Sequence, residues 1–313
     1  SIVQYGTSAS KGGPAGEIII RKALTSTLQD LNPSLTIDVA KSDEEMLKYG
    51  ASGSYDAYVF DPWTWAGPGW KLRSYVDDPD KLYILDFFGS EKSYTSEGKG
   101  GGIKGFDTEN HVLTAYPRSE RQRGGDGVGR FLGFYKEDVG TTDAKEGEAV
   151  VVIWGKDPKY YTTQVLKLLK RLADLDGVVL HSTLPAPGNK VLPQGVKTHG
   201  HLNPEEWQEL LRGATHMLGL GDPLLGPSGI DAIAQGCVLI NPKYRKPKRG
   251  WMSQHGFVEE FVEDHYHCTV NLEDWDEVEG CLRRKRVSRG LIPQEFTKDA
   301  YSKRVEDIFR SLL

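Results

Sequence analysis

The feature that most constrains the fold is a run of six apolar residues that ends at a glycine. Ala149–Trp154 reads Ala-Val-Val-Val-Ile-Trp and is followed by Gly155. A strand that is apolar at every position, rather than at alternate positions, is typical of a parallel sheet covered on both faces. Parallel sheets of this kind occur in α/β proteins, so this run predicts an α/β fold.

Two further stretches repeat a strand, a glycine-rich turn and a helix. The strand Ile2–Tyr5 precedes the turn 11–16 and a helix from about Glu17. A strand at 217–220 precedes the turn 221–226 and a helix from Pro227. Other expected elements are strands at 35–39, 57–60, 83–87, 178–181 and 237–240, a helix opening at 203–206 and a C-terminal helix within 296–313. The pattern predicts two Rossmann-like halves, with the cleft between them as the default ligand site.

The length of 313 residues suits two domains. A polar stretch at 138–148 predicts the boundary between them. We expect a first domain at 1–143 and a second domain at 144–295. The amphipathic helix at 296–313 is expected to return to the first domain.

The composition excludes several classes of protein. The net charge is −5, with 38% hydrophobic residues, which argues against broad nucleic-acid binding or direct membrane contact. No window approaches the roughly 18 unbroken apolar residues of a membrane span. Three cysteines permit at most one internal disulfide, which leans towards an intracellular setting.

The strongest local motif runs from residue 218 to residue 236. Its turn leads into Gly226, Pro227 and Ser228 at the start of a helix, where backbone N–H groups and the helix dipole suit a diphosphate. Asp231 lies one turn later and could accept hydrogen bonds from ribose hydroxyls. The alternative is an ordinary tight turn with Asp231 as a first-turn charge, since glycine-rich turns recur in all α/β folds.

This motif resembles the donor-binding segment of the GT-B glycosyltransferases. Its detail is most similar to family 18, the α-1,6-mannosylglycoprotein 6-β-N-acetylglucosaminyltransferases. Other matching stretches, in chain order, are 12–17, 88–91, 116–117, 131–134, 155–156, 199–200, 241–243, 253–255 and 293–297. The resemblance implies a GT-B fold of two Rossmann-like domains facing a cleft, with the C-terminal helix packing back on the first domain.

The resemblance also implies an activity. It is a metal-independent, inverting transfer of N-acetylglucosamine from the donor substrate UDP-GlcNAc to a mannose 6-hydroxyl of an oligosaccharide or glycoprotein, giving a β-1,6 linkage without a cofactor. Two alternatives stay open: a GT-B transferase of the same lineage with another donor or acceptor, and a catalytically silent glycan- or nucleotide-binding protein. The family implies the Golgi lumen; otherwise we expect the cytoplasm.

On the donor side, cations and a loop supplement the helix start. Lys156 follows the buried strand, where its ammonium could meet the negative charge of the leaving UDP. The alternative is an ordinary solvated lysine in a loop. Lys243 is a second cationic candidate, in a loop that is already basic. By the resemblance, Leu202 in the loop 199–203 would pack near the uracil. The donor-binding prediction thus comprises Lys156, Leu202, Gly226, Pro227, Ser228, Asp231 and Lys243.

On the acceptor side, the resemblance makes Glu17 the catalytic base. A helix start favours an ionised carboxylate, but many first-turn acids only complement the helix dipole. The matching stretches also imply that Gly13 and Glu91 bind the acceptor. Trp63 and Trp65, near a Gly-Pro-Gly turn, could form a platform for stacking sugars or belong to the core.

The chain departs from the family at several positions. Leu225 stands where the family has glutamate, and the helix acid is Asp231 instead of glutamate. Glycines replace the family's tryptophans in the stretch 98–106. These departures affect the sugar pockets more than the diphosphate site.

No motif predicts a metal site. Asp78-Pro79-Asp80 imitates an Asp-x-Asp metal motif but lies in a charged run that favours a turn. The histidines at 199, 201, 265 and 267 lack the paired spacing of a structural zinc site.

Overall fold

The protein is described by a computed structural model. It describes residues 1–5, 15–60, 78–86, 108–117, 129–140, 147–186, 188–221, 224–248 and 251–313. The chain divides into two compact units. The first comprises Ser1–Tyr135 together with Gln294–Leu313, and the second comprises Lys136–Pro293.

The first unit is built on a six-stranded parallel sheet with the order β2-β1-β3-β4-β5-β6. The strands are β1 Ile2–Tyr5, β2 Ile37–Ala40, β3 Ala57–Phe60, β4 Leu82–Asp86, β5 Val112–Thr114 and β6 Arg130–Phe131. Within the residues described before the crossing to the second unit, the helices are α1 Ala15–Leu31, α2 Asp43–Ser52 and α3 Thr108–His111. The chain order of the strands reverses between β1 and β3, so the carboxyl ends of these two strands form a topological switch point.

Apolar side chains on both faces hold this sheet together. Val3, Tyr58, Ile84 and Val112, one from each of four strands, are at most 1% exposed and pack in one cluster. Strands that alternate with helices bury both faces, which explains why β3 and β4 are buried at every position.

The second unit contains a seven-stranded sheet with the path β12-β11-β10-β7-β8-β9, and β13 pairs with β11. All pairs are parallel except β11 with β12. The strands are β7 Ala149–Trp154, β8 Val178–Ser182, β9 Lys197–Thr198, β10 His216–Gly219, β11 Val238–Lys248, β12 Trp251–Ser253 and β13 His267–Val270. The helices are α4 Thr163–Ala173, α5 Pro204–Arg212, α6 Pro227–Ala234, α7 Gly256–Phe261 and α8 Trp275–Leu282.

The apolar run identified in the sequence is β7, and it lies between β10 and β8 at the centre of the sheet. Its residues Val151 and Ile153 are fully buried against α4. Helix α4 contributes the stripe Val165, Leu168, Leu169 and Leu172. Val152 and Trp154, which point to the other face, are also buried, so the predicted both-face burial is confirmed for the last four residues of β7, whereas Ala149 and Val150 are half-buried.

The strand β11 is longer than the sequence predicted. Residues up to Pro242 are buried, and the following six residues continue as an exposed antiparallel ribbon with β12. The sequence pattern ends at residue 240 because proline and lysine residues follow, and these argue against a central strand.

The C-terminal helix, α9 Lys298–Ile308, belongs to the first unit. It contacts α1, and Arg304 donates from Nε to the Leu132 carbonyl at 2.8 Å. Phe296, just before it, packs against Phe134 with ring centroids 4.6 Å apart and the rings tilted by 37°. The predicted return of this helix to the first domain agrees with these contacts. In the described part of the chain, no helix combines the length and apolarity that a bilayer crossing requires.

Candidate functional site

The second unit has its own switch point between β7 and β10. The chain order of its parallel strands reverses there, and Trp154 pairs with Gly219 at the carboxyl ends of the two strands. In open α/β sheets, ligands bind just outside these ends. The candidate site of this unit therefore lies at Trp154 and Gly219.

A pocket opens at this point of the sheet. Its wall includes Trp154 and Gly219 from the strand ends and Gly226, Ser228 and Gly229 from the start of α6. Asn241, Pro242, Gln254 and His255 also line it, and they come from the end of β11 and the segment after β12. Two of the predicted donor residues, Gly226 and Ser228, thus share one pocket.

The start of α6 has no side-chain cap from the described residues and carries the positive end of the helix dipole. Gly226 is the N-cap and Pro227 occupies the first turn, and no described side chain caps this helix. Ser228 is half-buried. Pro227 has no N–H, and the Gly229 N–H donates to the Gly226 carbonyl at 3.1 Å. The Ser228 N–H and the positive end of the helix dipole are therefore what this start offers to an anion.

The backbone just before α6 is strained. Leu225 has φ 58°, the only positive φ of a non-glycine residue in the described ranges. Its side chain is 1% exposed, and its N–H donates to the Gln254 carbonyl at 3.1 Å. Residues other than glycine keep this left-handed backbone conformation only where surrounding contacts impose it, and such positions cluster at ligand sites.

Beneath this turn lies a buried polar pair, Asn241 and His255. The Asn241 Oδ1 accepts from the His255 N–H at 2.8 Å, and its Nδ2 donates to the Thr269 hydroxyl at 3.0 Å. Burial lowers the pKa of His255 to about 3, although an interaction with the Gly226 backbone opposes the shift. The ring is therefore neutral at physiological pH.

Lys156 follows β7 and is exposed, with Nζ 5.9 Å from the Trp154 ring centroid. The preceding Gly155 is held from both sides. Its carbonyl accepts from the Tyr161 hydroxyl at 3.0 Å, and its N–H donates to the Thr183 hydroxyl at 3.5 Å. The backbone that presents this ammonium is therefore fixed at the carboxyl end of β7.

Asp231 lies on α6 but does not face solvent. Its side chain is 3% exposed, one oxygen pairs with the Lys136 ammonium, and the other accepts from Trp207 Nε1 at 3.0 Å. The sequence correctly placed this acid on the helix but predicted no partners for it. Contact with a ribose would require Lys136 or Trp207 to move.

The loop before α5 carries Leu202, which is half-buried. Asn203 and Glu206 then form a reciprocal capping box at the start of α5. Next to this loop, His181 Nδ1 lies 2.7 Å from His199 Nε2, and burial together with His199 lowers the pKa of His181 to about 4. Within the described ranges, no three His, Cys, Asp or Glu side chains gather where they could hold a metal ion.

Lys243 is the first exposed residue of β11 and pairs with Ser253 of β12. The ribbon beyond it is basic, with Arg245 paired to Glu273 and the Lys248 ammonium 4.0 Å from the Tyr244 ring centroid. Lys156, Leu202 and Lys243 are not among the residues that line the pocket.

In the first unit, Glu17 is the third residue of α1, in its first turn. The strand before this helix is β1, at the switch point of that sheet. Four predicted acceptor residues, Gly13, Trp63, Trp65 and Glu91, lie outside the described residues. The Asp78-Pro79-Asp80 motif forms a turn in which Asp78 Oδ1 accepts from the Asp80 N–H at 3.0 Å.

Sequence reasoning assigned no role to Gln254, His255 and Asn241, although all three line the pocket. They lie in the stretches 241–243 and 253–255, which carried part of the family resemblance. The signal that identifies them is the burial of polar residues next to a glycine-rich helix start. This burial is visible only in the fold, so the sequence alone could not single them out.

Comparison with known proteins gives a family and a set of relatives. The model of glycosyltransferase family 18 matches residues 80–311. Human α-1,6-mannosylglycoprotein 6-β-N-acetylglucosaminyltransferase B is 26% identical over 259 residues, covering 72% of this chain and 31% of its own length. The Caenorhabditis elegans α-1,6-mannosylglycoprotein 6-β-N-acetylglucosaminyltransferase is 28% identical over 253 residues, covering 69% and 36%. The chain thus spans about a third of the length of these curated relatives.

Solved structures share the fold at low sequence identity. The lipopolysaccharide outer core galactosyltransferase WaaB is 13% identical with a TM-score of 0.63, over 100% of this chain and 99% of that one. The Methanocaldococcus jannaschii UDP-GlcNAc 2-epimerase, solved with UDP-GlcNAc and UDP, is 11% identical with a TM-score of 0.60, over 99% of each chain. Anabaena HepE with UDP-glucose is 12% identical with a TM-score of 0.59, over 99% of each chain. These likenesses confirm the GT-B fold class predicted from the sequence.

Proposed function

Because this chain belongs to glycosyltransferase family 18, we propose that it transfers N-acetylglucosamine from UDP-GlcNAc to a mannose 6-hydroxyl of a glycan, giving a β-1,6 linkage. The names of its relatives describe N-acetylglucosaminyltransferases of α-1,6-mannosylglycoproteins. The observation that carries the proposal is the uncapped start of α6 beside the switch-point pocket, which suits a nucleotide diphosphate.

The proposed chemistry is a single in-line displacement with inversion at the anomeric carbon. Glu17 takes the proton of the mannose 6-hydroxyl while that oxygen attacks the sugar, and the bond to the UDP oxygen breaks. The position of Glu17 in the first turn of α1, where helices favour acidic residues, supports this role.

The leaving UDP gains negative charge as this bond breaks. In a metal-independent reaction, the start of α6 and the ammonium groups of Lys156 and Lys243 would stabilise that charge. The fixed backbone at Gly155 supports the role of Lys156, since a preorganised cation needs little rearrangement during the reaction. Leu202 is proposed to pack near the uracil.

Asp231 is proposed to meet the ribose hydroxyls only after Lys136 moves away from it. The carboxylate has two protein partners and little exposure, so donor binding would exchange one of them. For the acceptor, we propose Gly13, Trp63, Trp65 and Glu91, on the basis of the family resemblance.

A second candidate is a family member that uses another nucleotide sugar. Leu225, a buried apolar residue held in a left-handed conformation, replaces a glutamate expected from the family resemblance. An apolar side chain there removes a hydrogen-bond partner for the sugar, and such losses change specificity strongly.

For the compartment, we propose the Golgi lumen. Cys268 and Cys281 form a disulfide with Cα atoms 6.0 Å apart. Disulfides persist in oxidising compartments and are rare in the cytosol, so this bond supports a secretory setting over the cytoplasm.

Replacing Glu17 tests the proposed base. In Glu17→Gln we expect the transfer rate from UDP-GlcNAc to an α-mannosyl acceptor to fall by about 10²–10⁴-fold. The Kd for UDP should stay unchanged, because the base acts on the acceptor. The control is Glu44→Gln, an exposed first-turn glutamate of α2 in the same unit, which should transfer at the wild-type rate. Full transfer by Glu17→Gln would refute the assignment.

A calorimetric panel tests the donor. UDP, GDP, UDP-GlcNAc, UDP-glucose and GDP-mannose are titrated with and without EDTA. Selective, EDTA-insensitive binding of UDP and UDP-GlcNAc supports the proposed reaction. Tighter binding of another nucleotide sugar favours the second candidate, and no binding at all contradicts both.

A further inference from the structure

We infer that His255 is a positioning residue that fixes the first turn of α6 in the conformation that receives the donor diphosphate. This inference rests on the proposed function, because the diphosphate site is part of it. The residue lies at the N-cap of α7, after β12, and its ring lies against Gly229 in the first turn of α6.

The first contact is a backbone hydrogen bond that holds the residue before the turn. Gln254, immediately before His255, accepts the Leu225 N–H at 3.1 Å. This hydrogen bond helps to keep Leu225 in its left-handed conformation, at φ 58°. The residue that precedes the N-cap is therefore fixed by the segment that carries the histidine.

The imidazole makes the second contact. It interacts with the Gly226 backbone and lies against Gly229, where an added Cβ would come 2.5 Å from the ring Cδ2. Glycine at 229 thus allows the ring to approach the helix backbone closely. Gly226 and Gly229 both line the pocket, so a shift of the ring would change the shape of the pocket directly.

The ring itself is fixed from below. Its Nδ1 accepts the Val258 N–H at 3.4 Å, which caps α7 and leaves the other ring nitrogen to carry the proton. Asn241 accepts the His255 N–H and is held in turn by Thr269. The residue is 3% exposed, so nearly all of its contacts are with the protein, and we expect it to act on a bound donor mainly by holding the turn.

Two substitutions separate the contacts of the ring. His255→Asn keeps an acceptor near the Nδ1 position for the Val258 N–H but loses the group that faces Gly226. His255→Gln keeps a donor near the Nε2 position and loses the α7 cap. The matched control is His216→Asn, a histidine of the same unit that is 1% exposed and lies at the opposite, amino end of β10.

The first readout is the Kd for UDP, measured by calorimetry beside the melting temperature. We expect His255→Asn to weaken UDP binding about tenfold, the effect of one lost hydrogen bond. His255→Gln should restore most of the affinity, and His216→Asn should lower the melting temperature without changing the Kd. Equal affinity of His255→Asn and wild type overturns the inference, and so does a loss in His255→Gln as large as in His255→Asn.

The second readout does not depend on nucleotide binding. Amide hydrogen exchange over residues 226–232 should be faster in His255→Asn than in His216→Asn, because only the former loosens the turn. If wild type does not bind UDP but exchange shows this difference, the proposed function fails and the positioning role stands. Unchanged exchange in His255→Asn contradicts the positioning role.

Discussion

The carboxylate of Asp231 shows how a single residue acquires its role from partners far away in the chain. Lys136 comes from the first segment of the second unit and Trp207 from α5, and both bind this one side chain. Helical spacing was sufficient to place Asp231 on α6. Its partners are 95 and 24 residues away, and no local pattern encodes that distance.

At this scale, Lys136→Met should destabilise the protein. The substitution leaves the Asp231 carboxylate buried with only Trp207 as partner, and breaking a buried pair on one side costs about 3–5 kcal/mol. Urea unfolding measures the loss. The double variant Lys136→Met with Asp231→Asn should recover much of it, because no uncompensated charge is left.

The control for this prediction is Lys298→Met. Lys298 pairs with Asp30 at 3.4 Å, but the two side chains are 45% and 60% exposed. Exposed pairs contribute about 0–1 kcal/mol, so this variant should unfold close to wild type. An equally small loss of unfolding free energy in Lys136→Met would contradict the prediction, because it would show that the ion pair with Asp231 contributes little to stability.

At the scale of elements, the disulfide joins β13 to α8 across 13 residues of sequence. We expect Cys268→Ser with Cys281→Ser to lower the free energy of unfolding by about 3 kcal/mol, the effect of a loop of this size. Urea unfolding of wild type in the presence of a reductant should show the same loss, and the double variant should be insensitive to the reductant.

A thiol titration checks the same bond. Cys237 is buried, and desolvation raises the pKa of its thiol to about 12, so it should not react in the native protein. Unfolded, unreduced protein should show one reactive thiol per chain, and reduced protein three. Three thiols without reduction would contradict the pairing.

The elements also show what sequence patterns can predict. The bounds of β3 and β7 and the first residue of α6 agree with the sequence to the residue, because burial on both faces and the Gly-Pro-Ser start are local signals. The strands β6 and β9 have only two residues each, too short to show a period. The ribbon of β11 and β12 was missed because two prolines lie in β11. For the candidate site, the sequence located the α6 turn, whereas the residues beneath it required the fold.

For the whole molecule, stability should depend on pH through buried neutral histidines. Burial lowers the pKa of His216 to about 4 and that of His255 to about 3, against an ordinary value of 6.5. Between pH 6.5 and about 4, these histidines are protonated in the unfolded chain but remain neutral in the native protein. The contribution of these two histidines to the free energy of unfolding is therefore complete above pH 6.5. It is lost as the pH falls below 6.5, by up to about 2.7 kcal/mol per pH unit for two groups.

Urea unfolding at a series of pH values from 8 to 5 measures this slope. The double variant His216→Gln with His255→Gln should be less stable at pH 8 but should show a shallower slope. A slope that is unchanged in this variant would assign the pH dependence to other groups.

The division of the chain has a consequence for its synthesis. The second unit is one continuous segment, whereas the core of the first unit includes Phe296 and Phe309, both fully buried. The Phe309 ring packs against the Tyr83 ring with centroids 4.8 Å apart, a contact between a residue made early and one made late on the ribosome. Translation proceeds from the amino end, so residues 136–293 can fold before Phe296 and Phe309, which complete the core of the first unit, have been made. The first unit is thus begun before the second and completed after it, and we expect its core to stay incomplete, and open to chaperone binding, until Phe296 and Phe309 are made.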